Sequence, residues 1–144
     1  MIRAAVLATF LFLVSGLLLP QNTDYQPDPA WQPPEAAAAR ANPLASSPEL
    51  AAGGRKLFQR YCVKCHGEQG SGVKEKKAAD LQLPLVQQQS DGALFWKITN
   101  GNLRRNMPAF SSLPELQRWQ LVLYLRTLKA PGNAFDHEER RKAE

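Results

Sequence analysis

Seven of the 11 prolines lie between Pro20 and Pro48, and they fence off what can fold. Proline removes a backbone donor and is excluded from helix interiors. The stretch QNTDYQPDPAWQPPEAAAARANPLASSP therefore reads as extended, semi-rigid chain. Residues 21–46 are assigned to a Pro/Ala-rich linker, with EAAAARA able to form a brief helical turn. Tyr25 and Trp31 are its candidates for docking on the domain or on a partner. At the other end, Pro131-Gly132 stops the last apolar pattern, and residues 131–144 form a charged tail. Residues 47–130 are left as the domain. A domain this short makes a modest core, and many of that size need an added staple.

Residues 1–20 are a different kind of segment. Arg3 precedes an uncharged apolar run from Ala4 to Leu19, which Pro20 ends. This is the pattern of an export signal. As a helix the run would be about 24 Å long at ~1.5 Å per residue, shorter than the roughly 20 residues a spanning helix needs. Length favours a cleaved signal peptide. The best small-residue site, Val14-Ser15-Gly16, is poor, which leaves an N-terminal membrane anchor as the other reading.

Within the domain the apolar periodicity is helical throughout. Ser47 is a good N-cap, Pro48 suits the first helical position, and Glu49 suits the positive end of the helix dipole. Leu50, Gly53 or Gly54, Leu57, Phe58 and Tyr61 then recur at spacings of three and four. Ser90 or Asp91 caps a second helix, SDGALFWKITNG, whose apolar face is Leu94, Phe95 and Ile98 and which Gly101 ends at positive φ. The third, LPELQRWQLVLYLRTLKAP, has Ser112 as its candidate cap and is apolar over most of its circumference, as a central helix is. No alternating strand pattern occurs. The expected fold class is all-α.

Between the first two helices lies Cys62-Val63-Lys64-Cys65-His66. C-x-x-C-H is the spacing of a c-type haem attachment site. Two thiols three residues apart at a helix end can each add to one vinyl group of the porphyrin, and the adjacent His66 then supplies a nitrogen to the iron. Covalent attachment retains a large apolar cofactor in a chain too small to enclose it. Met107 is the natural ligand for the opposite axial position: the sequence has two methionines, and Met1 is the initiator. A thioether is a neutral, soft donor that raises the reduction potential. Other uses of the cysteines fit less well. A zinc site of Cys62, Cys65, His66 and His137 would require sequence neighbours to share one tetrahedral ion. A thioredoxin-type dithiol requires a β-α-β context. A plain disulfide would leave the adjacent histidine unexplained.

Residues 47–130 resemble a class I, mono-haem cytochrome c of the bacterial electron-carrier type. GRKLFQRYCVKCHGEQGSG is similar to the family's first helix, haem site and glycine loop; DGALFWKITNG with NMPAF to its methionine region; RWQLVLYLRTL to its last helix. The resemblance implies a small cytochrome c fold in which the first and last helices cross, Gly54 and Phe58 meeting the face of Leu121, Tyr124 and Leu125. It implies one covalent haem c on Cys62 and Cys65, with iron held by His66 and Met107. It further implies that Asn100 and Gly101 support the Met107 loop. The stretch VKEKKAADLQLPLVQQQ departs from the family's middle region, so the groups that hydrogen-bond the propionates and His66 are not assigned; Pro84 is a candidate packing residue on the His66 side.

The net charge of +5 is concentrated on the domain: residues 49–129 hold 13 Lys/Arg against 6 Asp/Glu. Such a surface suits acidic redox partners. No nucleic-acid motif accompanies it. Lys64, Lys74, Lys76, Lys77, Lys97, Arg104 and Arg105 are candidate docking residues. The expectation is an electron carrier, not an enzyme, serving extracytoplasmic partners of a respiratory chain from the periplasm or the outer face of the bacterial inner membrane. Residues 4–19 would tether it if retained. The alternatives are a fixed cytochrome subunit of a larger oxidoreductase and, if Met107 leaves the iron open, a five-coordinate haem sensor or peroxidase.

Overall fold

The computed structural model describes residues 25–44 and 46–129. The segment 1–20, with its apolar run 4–19, and the tail 131–144 with His137 lie outside the described residues. Among the described residues there is no strand and no helix long and apolar enough to cross a membrane. The elements are α1 (Glu35–Ala38), α2 (Pro48–Tyr61), α3 (Val63–His66), α4 (Pro84–Gln87), α5 (Asp91–Asn100) and α6 (Glu115–Thr127), with short 3-10 turns at Lys74–Lys76 and Leu103–Arg105.

Caps set two of the long helices as the sequence suggests. Ser47 Oγ accepts from Leu50 N at 3.1 Å to start α2, and Ser90 Oγ accepts from Ala93 N at 3.1 Å to start α5. α6 differs. Ser112 is not its cap; the helix begins at Glu115 after Pro114, because Leu113 N is already bonded to Phe110 O in a preceding turn. Leu116, counted with the apolar residues of this helix, is 55% exposed.

α2 and α6 cross at Gly54. A Cβ there would fall on the Gln120 carbonyl group and lie 2.9 Å from Tyr124 Cβ, so only glycine lets the two backbones meet. Around the crossing, Phe58, Trp119, Leu121 and Val122 are the most deeply buried apolar side chains. The Phe58 and Tyr124 rings lie 5.2 Å apart, and Phe95 stacks on Trp119 at 4.0 Å. Leu94, Phe95 and Ile98 carry α5 onto this core. Arg126 fastens the α4–α5 junction to α6, donating to Asp91 Oδ1 and to the Gln87 and Gln89 carbonyls.

Residues 25–44 include the docking candidates Tyr25 and Trp31, whose rings face Arg105 and Lys97 of the domain. They lie along the domain, held by single polar grips instead of an apolar stripe. Asn42 Nδ2 donates to Trp119 O at 3.2 Å, and Arg40 pairs with Glu115 at 2.6 Å while covering the Phe95 and Trp119 rings. Ser90 Oγ donates to Ala38 O at 2.6 Å. Gly92 admits the backbone of α1 so closely that a Cβ would stand 2.8 Å from Ala38 O.

Candidate functional site

Cys62 ends α2 and begins α3, so both cysteines and the histidine sit on one tight helical turn. Cys65 N and His66 N both donate to Cys62 O, at 3.1 and 2.9 Å. The chain then folds back: Gly72 N donates to His66 O at 2.8 Å and Val73 N to Cys65 O at 2.9 Å. Both thiols are free and half-buried. Burial, with a smaller contribution from the neighbouring Cys65, pushes the Cys62 thiol up to about 12. Burial thus favours the protonated thiol over the thiolate at Cys62.

His66 is fixed by a group the sequence did not reveal. Its Nδ1–H donates to Ala79 O at 3.0 Å. Burial lowers the His66 pKa, and this hydrogen bond opposes the shift. The imidazole is held neutral with Nε2 as its remaining donor atom, the arrangement seen in metal-binding histidines generally. Pro84, the packing residue suggested for this side, opens α4.

Next to Ala79 is Asp80, only 1% exposed. Its Oδ1 accepts from Gln82 N at 2.8 Å, and Oδ2 has no hydrogen-bond partner among the described residues. Burial raises the carboxyl pKa, and the Gln82 N–H offsets part of that. A raised carboxyl pKa means the folded state binds the proton more tightly. The resulting stabilisation is complete below the unfolded value near 3.9 and is lost as pH rises through the folded value. Asp80→Asn keeps the shape without the charge. It is expected to raise stability at neutral pH by about 1–3 kcal/mol and to flatten the decline above the acid range. Thermal melts of the matured protein from about pH 4 to about pH 8 check this; an Asn variant that is less stable at neutral pH would refute the account.

Met107 closes a small hairpin. Asn102 and Met107 exchange both main-chain hydrogen bonds, at 2.8 and 3.0 Å, around the 3-10 turn Leu103–Arg105. Asn106 turns the chain with φ of 57°. Gly101 ends α5 at φ of 61°, where a Cβ would lie 2.5 Å from Pro108 O, so it is the residue that lets the hairpin return over the helix end. Asn100 bonds within its own helix, to Trp96 O at 2.8 Å, and not to the hairpin.

The two segments meet. Tyr61 precedes Cys62, Phe110 follows Met107 by three residues, and their ring centroids are 6.2 Å apart. Half-buried Cys62, Val63, Ala79, Phe110 and Tyr124 border the core nearby. The donor set is thus two unpaired thiols, a neutral imidazole and a neutral thioether on an apolar surround. That set fits a covalent haem: two thiols to add to vinyl groups and two neutral axial donors. Among the described residues no group of three or more His, Cys, Asp and Glu is arranged to hold a metal ion.

A surface recess lies elsewhere, between α1 and α5, lined by Arg40, Phe95, Thr99, Glu115 and Arg118 among others. Of the cationic candidates, Lys64, Lys74, Lys76 and Lys77 are exposed. Lys97 instead lies over the Trp31 ring at 4.8 Å, Arg104 pairs with Asp28 at 2.9 Å, and Arg105 faces Tyr25 at 6.0 Å.

No curated protein sequence matches the chain. A family model does: cytochrome c oxidase, cbb3-type, subunit III, over residues 49–125. The matched span runs from α2 to α6 and contains both the Cys62–His66 turn and the Met107 hairpin. It covers more than half of the sequence. Domains of this kind are generally extracytoplasmic. The chain belongs to this family, and its all-α domain is a c-type cytochrome domain, which implies covalently bound haem c and its iron.

Proposed function

We propose that the chain is a single-electron carrier in which Cys62 and Cys65 hold the haem by thioether bonds and His66 and Met107 bind its iron. The observation that carries this reading is the meeting of Tyr61 and Phe110, which brings the thiol–imidazole turn and the Met107 hairpin to one end of the fold. When bound, the haem supplies a one-electron ferric/ferrous couple. The chain's own part is to hold its donors still. Ala79 O fixes the His66 ring, and the Asn102–Met107 pairing fixes the thioether segment. Donors held in both oxidation states keep the reorganisation accompanying electron transfer small. Neutral donors on both sides, one of them a soft sulfur, favour the ferrous state and hence a higher potential. The exposed Lys64, Lys74, Lys76 and Lys77 beside the attachment turn orient the encounter with an acidic redox partner. The site of action is the periplasm or the outer face of the inner membrane of a bacterium.

The test is the spectrum of the matured full-length protein in both oxidation states. A weak near-infrared sulfur-to-iron band in the ferric form, and no carbon monoxide binding by the ferrous form, are expected. Ready carbon monoxide binding without that band would assign the chain to sensing or peroxide chemistry instead.

A second reading is favoured by the family match, whose model is named for an oxidase subunit. The same electron-transfer domain would then be a fixed subunit of a larger oxidoreductase. Stable co-purification with other chains at native expression level distinguishes it from a diffusing or tethered carrier.

A further inference from the structure

The segment preceding the domain grips the Met107 hairpin from outside. Asp28 is buried at 9% exposure although it lies among prolines in the sequence. Its Oδ2 accepts from Asn102 Nδ2 at 3.0 Å, and both its oxygens accept from Arg104 Nη2, at 3.0 and 2.9 Å. Ala30 N donates to Oδ1 at 3.0 Å and Trp31 N to the Asp28 carbonyl at 3.0 Å, so a local turn fixes the carboxylate. Three residues on, Trp31 Nε1 donates to Gly101 O at 2.7 Å. The contacts to Gly101, Asn102 and Arg104 all fall on the hairpin or its hinge. Asn102 is the residue whose main chain exchanges both hydrogen bonds with Met107, and Gly101 is the residue over which Pro108 returns. Arg104 stands in the turn between them. Lys97 and Arg105 close over Trp31 and Tyr25 on the same side.

A two-residue ladder with a 3-10 turn is too small to be rigid alone. Local opening of such a unit has a low free energy unless other groups hold it. We propose that residues 25–31 are a strap that positions Met107, with Asp28 and Trp31 as positioning residues that keep the hairpin closed and so keep the thioether at the iron. The proposal rests on His66/Met107 ligation as argued above. It makes the proline-rich segment part of the redox centre: the prolines stiffen the strap, and its polar side chains choose the hairpin. The segment's other grips, at Arg40 and Asn42, fall on α6 and do not touch the hairpin. That separation supplies a control.

The experiment uses matured full-length protein and follows imidazole binding to the ferric form, whose rate reports opening of the sulfur–iron bond, together with the near-infrared band. Asp28→Ala is expected to speed imidazole binding about tenfold and to weaken the band, as loss of a charge-assisted hydrogen bond at the hinge predicts. Trp31→Phe keeps the ring and loses only the donor; about threefold is expected, and it decides the matter if Asp28→Ala does not mature. Arg40→Ala, which removes a grip of the same segment outside the strap, is expected to lower the melting temperature while leaving both readouts at the wild-type value. Wild-type rates and band in both Asp28→Ala and Trp31→Phe overturn the strap, as does an Arg40→Ala protein that opens as fast as Asp28→Ala. The ligation reading fails separately: it falls if wild type lacks the band, or if Met107→Ala retains it.

Discussion

Met107→Ala is expected to remove the near-infrared band completely, lower the reduction potential and allow the ferrous protein to bind carbon monoxide. Met107 is half-buried, and the bonds that fix its segment are main-chain bonds to Asn102, which alanine keeps. Asn106 supplies the turn, and Gly101 supplies the return. The substitution therefore removes the side chain and leaves the hairpin. Loss of a partly buried methionine costs about 1–2 kcal/mol of packing, at the low end of the range for core truncations. That is too little to unfold a domain stabilised by an α2–α6 crossing elsewhere. The chemical effect is larger than the structural one. If Met107 binds the iron as proposed, the substitution withdraws a neutral soft donor, which would lower the potential and leave a position for an external ligand. The sequence offers no substitute: its other methionine is Met1. Spectroscopy, voltammetry and carbon monoxide titration of one variant preparation check all three outcomes. A band that survives would mean that Met107 does not bind iron.

The main helices were legible because their signals are local. Ser47 and Ser90 cap as their sequence contexts suggest, and Leu94, Phe95 and Ile98 face the core as their spacing requires. Gly101 has the positive φ its place after Asn100 implied. C-x-x-C-H names its own chemistry by spacing. The missed features share a different property. The group that holds His66 is the Ala79 carbonyl, and every residue has a carbonyl, so no side-chain signal marks it. The strap contacts are single polar grips (Asp28, Trp31, Arg40 and Asn42) separated by prolines and without a period. Periodicity finds faces, and this segment has no face. Its prolines were read correctly as blocking a helix, but an extended chain can lie against a domain as readily as it can swing free. Asp80 illustrates the same limit. It lies in the charged-looking stretch VKEKKAAD yet is buried, where the neighbouring Leu81 N reaches back to Gly70 O at 2.7 Å.

The adjacent glycines of α2 give the sharpest test of the fold, because identical chemistry one residue apart should have opposite consequences. A helix-interior glycine is worth about 1 kcal/mol less than alanine, so each position begins with that gain available. At Gly53 a Cβ would meet only the Gln120 side-chain amide, with Nε2 at 2.9 Å. That amide ends a flexible side chain and can swing aside. Gly53→Ala is therefore expected to be neutral or to stabilise by up to about 1 kcal/mol. At Gly54 the Cβ would fall on the Gln120 main-chain carbonyl, with its carbon at 2.6 Å and Tyr124 Cβ at 2.9 Å. The obstacle is the backbone of the central helix, packed on Trp119, Leu121 and Val122, none of them more than 2% exposed. It can yield only if α2 and α6 move apart and part the Phe58–Tyr124 contact. Gly54→Ala is expected to cost about 3 kcal/mol or more, and Gly54→Val to leave little folded holoprotein, since a domain's whole stability is only about 5–15 kcal/mol. For a domain of this size each kcal/mol moves the melting temperature by roughly 4–8 °C, so the two alanine variants should melt well over 10 °C apart. Thermal melts of the matured proteins decide it. Equal melting temperatures for Gly53→Ala and Gly54→Ala would mean that the crossing is not set by close backbone contact at Gly54, and the packing that places the Cys62 turn would need another origin.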